Sequence, residues 1–214
     1  MALKRKTNQD AAPAEVAESP SEHFSIGELL EQLCGSDVEL SHQAAERLAK
    51  ESDETLSDAI INLNECQDEF VIDILLLEGQ QRASDMVVSA MSDLLASEEP
   101  GVRNRALELM SQMPEQVLPI MPELLANPDK DVRILSMNML NYMPNHQIVP
   151  LLLKVIAEDA EINVVAQAMD TLSGAADASV LSAVEGVKAR FPDESYIQFL
   201  ADNLIDQLTN QSDS

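Results

Sequence analysis

Glu99-Pro-Gly-Val-Arg-Asn-Arg-Ala-Leu-Glu-Leu-Met-Ser-Gln-Met-Pro114 and Asp129-Lys-Asp-Val-Arg-Ile-Leu-Ser-Met-Asn-Met-Leu-Asn-Tyr-Met-Pro144 say nearly the same thing twice. Val102 matches Val132, Arg103 matches Arg133 and Met113-Pro114 matches Met143-Pro144, an offset of 30 residues. Self-similarity at such a spacing is the mark of a repeat array, in which each unit buries its apolar face only against its neighbours.

Working outward from this pair, an acidic residue is followed three positions later by an apolar anchor, with further core positions four and eight residues beyond. The anchors are Leu40, Val71, Val102, Val132, Val164 and Tyr196, at successive spacings of 31, 31, 30, 32 and 32. An acid before an apolar-periodic run accepts hydrogen bonds from the first free N–H groups of a helix and suits the positive end of its dipole. Positions zero, four and eight share one helix face. Ala44, Ala106, Ser136 and Ala168 are small at the fourth, which predicts close helix approach; Gly79 stands where the second copy wants an apolar residue.

Before each acid lies another apolar segment, 26–33, 56–63, 87–95, 120–125, 149–156 and 180–187, so each unit reads as a helical hairpin. Met-Pro closes the second helix at 113–114 and 143–144, because a residue preceding proline resists the α conformation. Pro119, Pro122 and Pro150 are expected in first helical turns.

These units resemble the HEAT-repeat superfamily, through Leu94-Leu95, Val102-Arg103, Ala106 and Met110, and again through Leu124-Leu125, Asn127-Pro128-Asp129, Val132-Arg133, Ser136 and Leu140. The match is good over residues 90–175 and weaker on either side. The spacing is shorter than the roughly 40–47 residues of eukaryotic HEAT units and looks more like the compact repeats of bacterial proteins and phycobilin lyase subunits. The resemblance implies an α-solenoid that binds other macromolecules, without naming the partner. The expected fold is all-α, a right-handed solenoid of about six HEAT-like hairpins over residues 24–208, with a disordered arm over 1–23 and a frayed tail over 209–214.

Composition narrows the partner. With 38 acidic residues against 13 basic, the formal charge is −25; this field repels phosphate backbones and anionic membrane surfaces, so neither nucleic acid nor a membrane is expected. Aromatic residues make up only 3% and Trp is absent, which disfavours a β fold. No apolar run is long enough to span a bilayer, and Met1-Ala-Leu-Lys-Arg-Lys6 leads into polar residues rather than a signal-peptide core; a cytoplasmic location is expected. Cys34 and Cys66 read as buried, inert thiols. Lys4, Arg5 and Lys6 could meet an acidic surface, though a solvated arm is the simpler reading.

Two sets of residues are candidates for partner contact. Arg103 and Arg133 hold equivalent places in adjacent repeats: they form either a ladder that caps or pairs with inter-helix turn acids, which is favoured, or a clamp for a partner's carboxylates. Ala45, Leu76, Leu107, Met137, Met169 and Ala201 lie five positions past the anchors and form either inter-repeat core, again favoured, or an exposed strip. Ile134, one turn before Met137, argues for a patch in the fourth repeat. No phosphate loop, calcium loop or nucleophile–base arrangement is visible, so neither catalysis nor a cofactor nor a metal is expected. The function expected is a protein-interaction scaffold acting as a monomer or weak oligomer; an accessory subunit of an enzyme, including one of the phycobilin-lyase kind, is the alternative.

Overall fold

The computed structural model describes residues 24–212. The expected arm over 1–23 lies outside the described residues, as do the last two residues of the expected tail.

The described chain is helical throughout, in six antiparallel hairpins. The first helices are α1 (Ile26–Gln32), α3 (Asp53–Ile61), α5 (Asp85–Asp93), the pair α7 (Pro114–Val117) and α8 (Met121–Leu124), α10 (Asn145–Glu158) and α12 (Leu181–Arg190). The second helices are α2 (Val38–Leu48), α4 (Glu69–Arg82), α6 (Pro100–Ser111), α9 (Lys130–Leu140), α11 (Ile162–Ala175) and α13 (Ser195–Ser212). Second helices pack side by side, α2 on α4, α4 on α6, α6 on α9, α9 on α11 and α11 on α13. The first-helix layer runs from α3 through α5 to α7 and resumes from α10 to α12. A single core fills the space between the layers, as expected of a solenoid whose neighbours share apolar faces.

The caps behave as their chemistry dictates. Asp37, Asp68 and Asp129 each accept a backbone N–H of their helix's first turn, whereas Glu99 and Glu161 hold the N-cap position without a side-chain cap bond. In three copies the residue two places earlier holds the turn: Ser97, Asn127 and Asp159 accept the N–H of Glu99, Asp129 and Glu161 at 3.2, 2.9 and 2.9 Å.

Packing fits the anchors in five copies. Val71, Val102, Val132 and Val164 are buried, as are Ala44, Ala106, Ser136 and Ala168, all at 0–1% exposure; Leu40 is half-buried. In the sixth copy the reading is one residue off. Tyr196 is exposed, and the buried stripe is Ile197, Ala201, Leu204 and Leu208, which restores the small residue four positions past the anchor. This stripe carries α13 through Thr209 to Ser212, past the expected domain end at 208.

Gly79 fits because there is no room for more. A Cβ there would stand 3.1 Å from Ile60 Cδ1 and 3.2 Å from Met91 Sδ and Val87 Cγ1, so α3 and α5 supply the side chains that the pattern seeks at this position. Proline accounts for the irregular fourth repeat: Pro114, Pro119 and Pro122 cannot donate backbone hydrogen bonds, and the first helix breaks into α7, a 3-10 turn and α8. Pro150, by contrast, lies inside α10, which begins five residues before it.

Candidate functional site

The outward side of the second helices carries two adjoining hollows. One of about 410 Å³ lies between α4 and α6, lined by Asp73, Arg105 and Glu108 among others. Another of about 810 Å³ lies between α6 and α9, with Leu107, Glu108, Asn138 and Tyr142. Asn104 and Glu108 belong to both, so the two form one trough across three repeats. In its wall Arg105 bonds Asp73 at 2.7 Å and Glu108 at 2.8 Å; the Glu108 hydrogen bond leads in raising the guanidinium's pKa, with Asp73 adding to it against burial.

Arg103 and Arg133 are occupied by their own array. Arg103 donates to Ser97 O at 2.8 Å. Arg133 makes the equivalent bond to Asn127 O at 2.8 Å and holds Asp159 of the next repeat at two points, Nε–Oδ2 2.7 Å and Nη2–Oδ1 3.0 Å. They cap their own turns, and Arg133 also takes Asp159, the turn acid of the following repeat. They also open on different hollows: Arg103 shares one of about 310 Å³ with Asp131 and Ile134, and Arg133 floors a cleft of about 350 Å³ between α8 and α10, walled by Leu125, Leu151 and Val155 with Lys154 among its lining residues. The two-arginine clamp is therefore not assembled.

The row five past the anchors is core. Met137 and Met169 are 0% and 2% exposed, which removes both from the set of surface contacts; the wide buried stripe of a helix packed on both sides reaches them. Leu107 and Ile134 are half-buried and line hollows. Sequence reasoning missed the residues that do stand out, Phe70, Leu77, Tyr142 and Phe199, at 41%, 38%, 64% and 60% exposure. Their signal was an apolar residue outside the anchor periodicity.

Cys34 also differs from expectation: it is exposed, while Cys66 is buried. Cys34 Sγ donates to Asn62 O at 3.7 Å; the neighbouring Cys66 and burial push the Cys34 thiol up, while Cys34 draws the Cys66 thiol down against the opposing effect of burial. Among the described residues no group of three His, Cys, Asp or Glu side chains could hold a metal ion, and no helix is long and apolar enough to cross a membrane.

No family model matches the sequence and no curated protein matches it. Three solved structures are similar. An archaeal HEAT-like repeats protein from Thermococcus onnurineus NA1 has 18% identity, covering 86% of this chain and 87% of that one, with a TM-score of 0.41. A designed armadillo repeat protein has 16% identity, covering 86% and 100%, with a TM-score of 0.38. The complex of CpcE and CpcF of phycocyanin lyase from Nostoc sp. PCC7120 has 16% identity, covering 94% and 100%, with a TM-score of 0.29. By the packing of its own helices, six two-helix repeats in two layers around one core, the described chain is an α-solenoid.

Proposed function

We propose that the chain is a non-catalytic scaffold that grips a protein partner with its second-helix layer. The observation that carries this is where apolar surface is left open. Of the nine large apolar side chains that stand exposed among the described residues, Val38, Phe70, Leu77, Tyr142, Tyr196 and Phe199 are on or directly after second helices, and Ile26, Ile61 and Met86 are on the first-helix layer. Exposed apolar groups arrayed on one face, rimmed by polar residues, mark interaction surfaces, and aromatic groups dominate the energy of such contacts. Anchoring falls to these aromatic and aliphatic groups, and the two arginines serve the array itself.

A photo-crosslinking amino acid placed at Leu77 or Tyr142, and for comparison at Ile61 or Met86, tests the proposal in a lysate of the native organism. Capture of one protein from the second-helix positions alone supports it. Equal capture from both layers, or from Ile61 and Met86 alone, refutes it. Retention of a small molecule in place of a protein favours the accessory-subunit alternative.

A further inference from the structure

We infer that Cys34 and Cys66 form a reversible redox-modification site: a dithiol that a low-molecular-weight disulfide oxidises to an intramolecular disulfide, clamping the first repeat to the second. The site lies at a junction within the array and requires no partner.

The repeat geometry brings the two thiols together. Five positions before successive anchors stand Cys66, Ser97, Asn127 and Asp159. Side chains at this position reach back to the repeat before. Ser97 Oγ donates to Asn64 O at 2.7 Å, Asn127 lines a hollow with Ser92 and Ala96, and Asp159 takes Arg133 at two points. Cys66 holds the same place in the second repeat, is 2% exposed, and has the turn of the first repeat before it. From that turn Cys34 Sγ crosses to Asn62 O at 3.7 Å. Asn62 opens the 3-10 turn Asn62–Glu65, which Cys66 closes with its N–H on Leu63 O at 2.8 Å. The acidities agree with this placement, since near neighbours shift one another: Cys66 pushes the Cys34 thiol up and Cys34 draws the Cys66 thiol down.

The two thiols suit successive roles. Cys34 is exposed and meets the oxidant, whereas Cys66 is buried. The Asp68 N–H favours the Cys66 thiolate, as the N–H groups of Glu99, Asp129 and Glu161 serve Ser97, Asn127 and Asp159. In the first step the Cys34 thiolate attacks one sulfur of the oxidant RSSR, forming a Cys34–S–S–R bond and expelling RS⁻. In the second the Cys66 thiolate attacks the Cys34 sulfur, forming the Cys34–Cys66 bond and expelling the other RS⁻. The two thiol protons end on the two RS⁻ groups, two electrons pass from the protein to RSSR, and excess RSH reverses both steps.

The clamp falls where the array has least support. A terminal repeat has a neighbour on one side only, and α1 packs mainly on α2 of its own hairpin. A bond between residues 34 and 66 closes a loop across that junction and restricts the unfolded chain.

The test treats the full-length chain with oxidised glutathione, blocks remaining thiols with N-ethylmaleimide, and reads intact mass and melting temperature. The chain has two cysteines, so the wild type should lose two hydrogens in mass, take up no maleimide and show no covalent dimer on a non-reducing gel; dithiothreitol should return both thiols to maleimide. The oxidised form should melt about 5 °C or more above the reduced one. Cys66→Ser introduces the residue that the equivalent turn already holds at Ser97; it should stop at one glutathione adduct on Cys34, and Cys34→Ser should take up none. A glutathione adduct that lasts on the wild type or forms on Cys34→Ser, two maleimides after oxidation, a disulfide-linked dimer, or equal melting temperatures for the two forms overturns the inference.

Discussion

Arg103 and Arg133 are the same residue at the same place in the repeat, and the structure sets very different costs for removing them. Arg103→Ala deletes a single bond to the carbonyl of Ser97, worth about 1.5 kcal/mol, the low end for a charged donor because Arg103 is only half-buried. Arg133→Ala deletes the matching bond to Asn127, a second one to Pro128 O and the two-point grip on Asp159, a pair whose side chains are only 12% and 9% exposed. Breaking a buried pair from one side costs about 3–5 kcal/mol because the remaining charge is stranded. Asp159 keeps the backbone N–H of Glu161 as a donor, which softens the loss, so Arg133→Ala should cost about 3 kcal/mol in total. Urea unfolding followed by circular dichroism at 222 nm gives both values when the slopes agree. A double-mutant cycle with Asp159→Asn should return a coupling of about 1–3 kcal/mol. Losses within 0.5 kcal/mol of each other, or a coupling near zero, would refute the idea that Arg133 ties the fourth repeat to the fifth.

Met137→Asp puts a carboxylate at a position with 0% exposure, so far-ultraviolet circular dichroism should show loss of helix, about 4 kcal/mol or more of destabilisation; retained helix with lost partner binding would show the residue to be surface. Gly79→Leu should lower the urea midpoint by the equivalent of about 1–3 kcal/mol, since Ile60, Val87 and Met91 already touch the space it would need. Ala83 ends α4 at φ 47°, a left-handed conformation that costs an L-residue about 1–2 kcal/mol; Ala83→Gly should therefore raise the melting temperature by about 2–4 °C. Burial pushes the Asp68 carboxyl up, but the hydrogen bond from His42 and the N–H groups of Val71 and Phe70 outweigh it and hold it below the usual range. A depressed folded-state pKa stabilises fully above the unfolded value of about 3.9 and is lost as pH falls through the lower folded value. Asp68→Ala should thus cost about 1 kcal/mol near pH 6, with its unfolding midpoint converging on that of the wild type as pH drops below about 4.

The repeat period, the hairpin boundaries and the core stripe were legible because each follows from local rules: an acid that can cap, an apolar anchor, and a face that recurs every 3.6 residues. Tyr196 misled because it is apolar enough to satisfy the pattern beside Ile197, and only packing tells which of two neighbours turns inward. Leu107, Met137 and Met169 share one helical phase, yet one is half-buried and two are core, a difference fixed by the helix on the far side of each. The exposure of Cys34 was hidden for a similar reason: it follows from how the turn after α1 meets the turn after α3, where Cys34 Sγ lies 3.7 Å from Asn62 O. Surface contacts of this kind depend on which repeats abut, information that a single helix period does not contain.

The proline-broken first helix of the fourth repeat has a mechanical consequence. There the second-helix layer passes from α6 to α9 to α11 without interruption, while on the other side α8 faces α10 across the open cleft. A two-ply beam with one ply cut bends at the cut. A bending load on the array would therefore fall first on this joint, which the Arg133–Asp159 pair bridges.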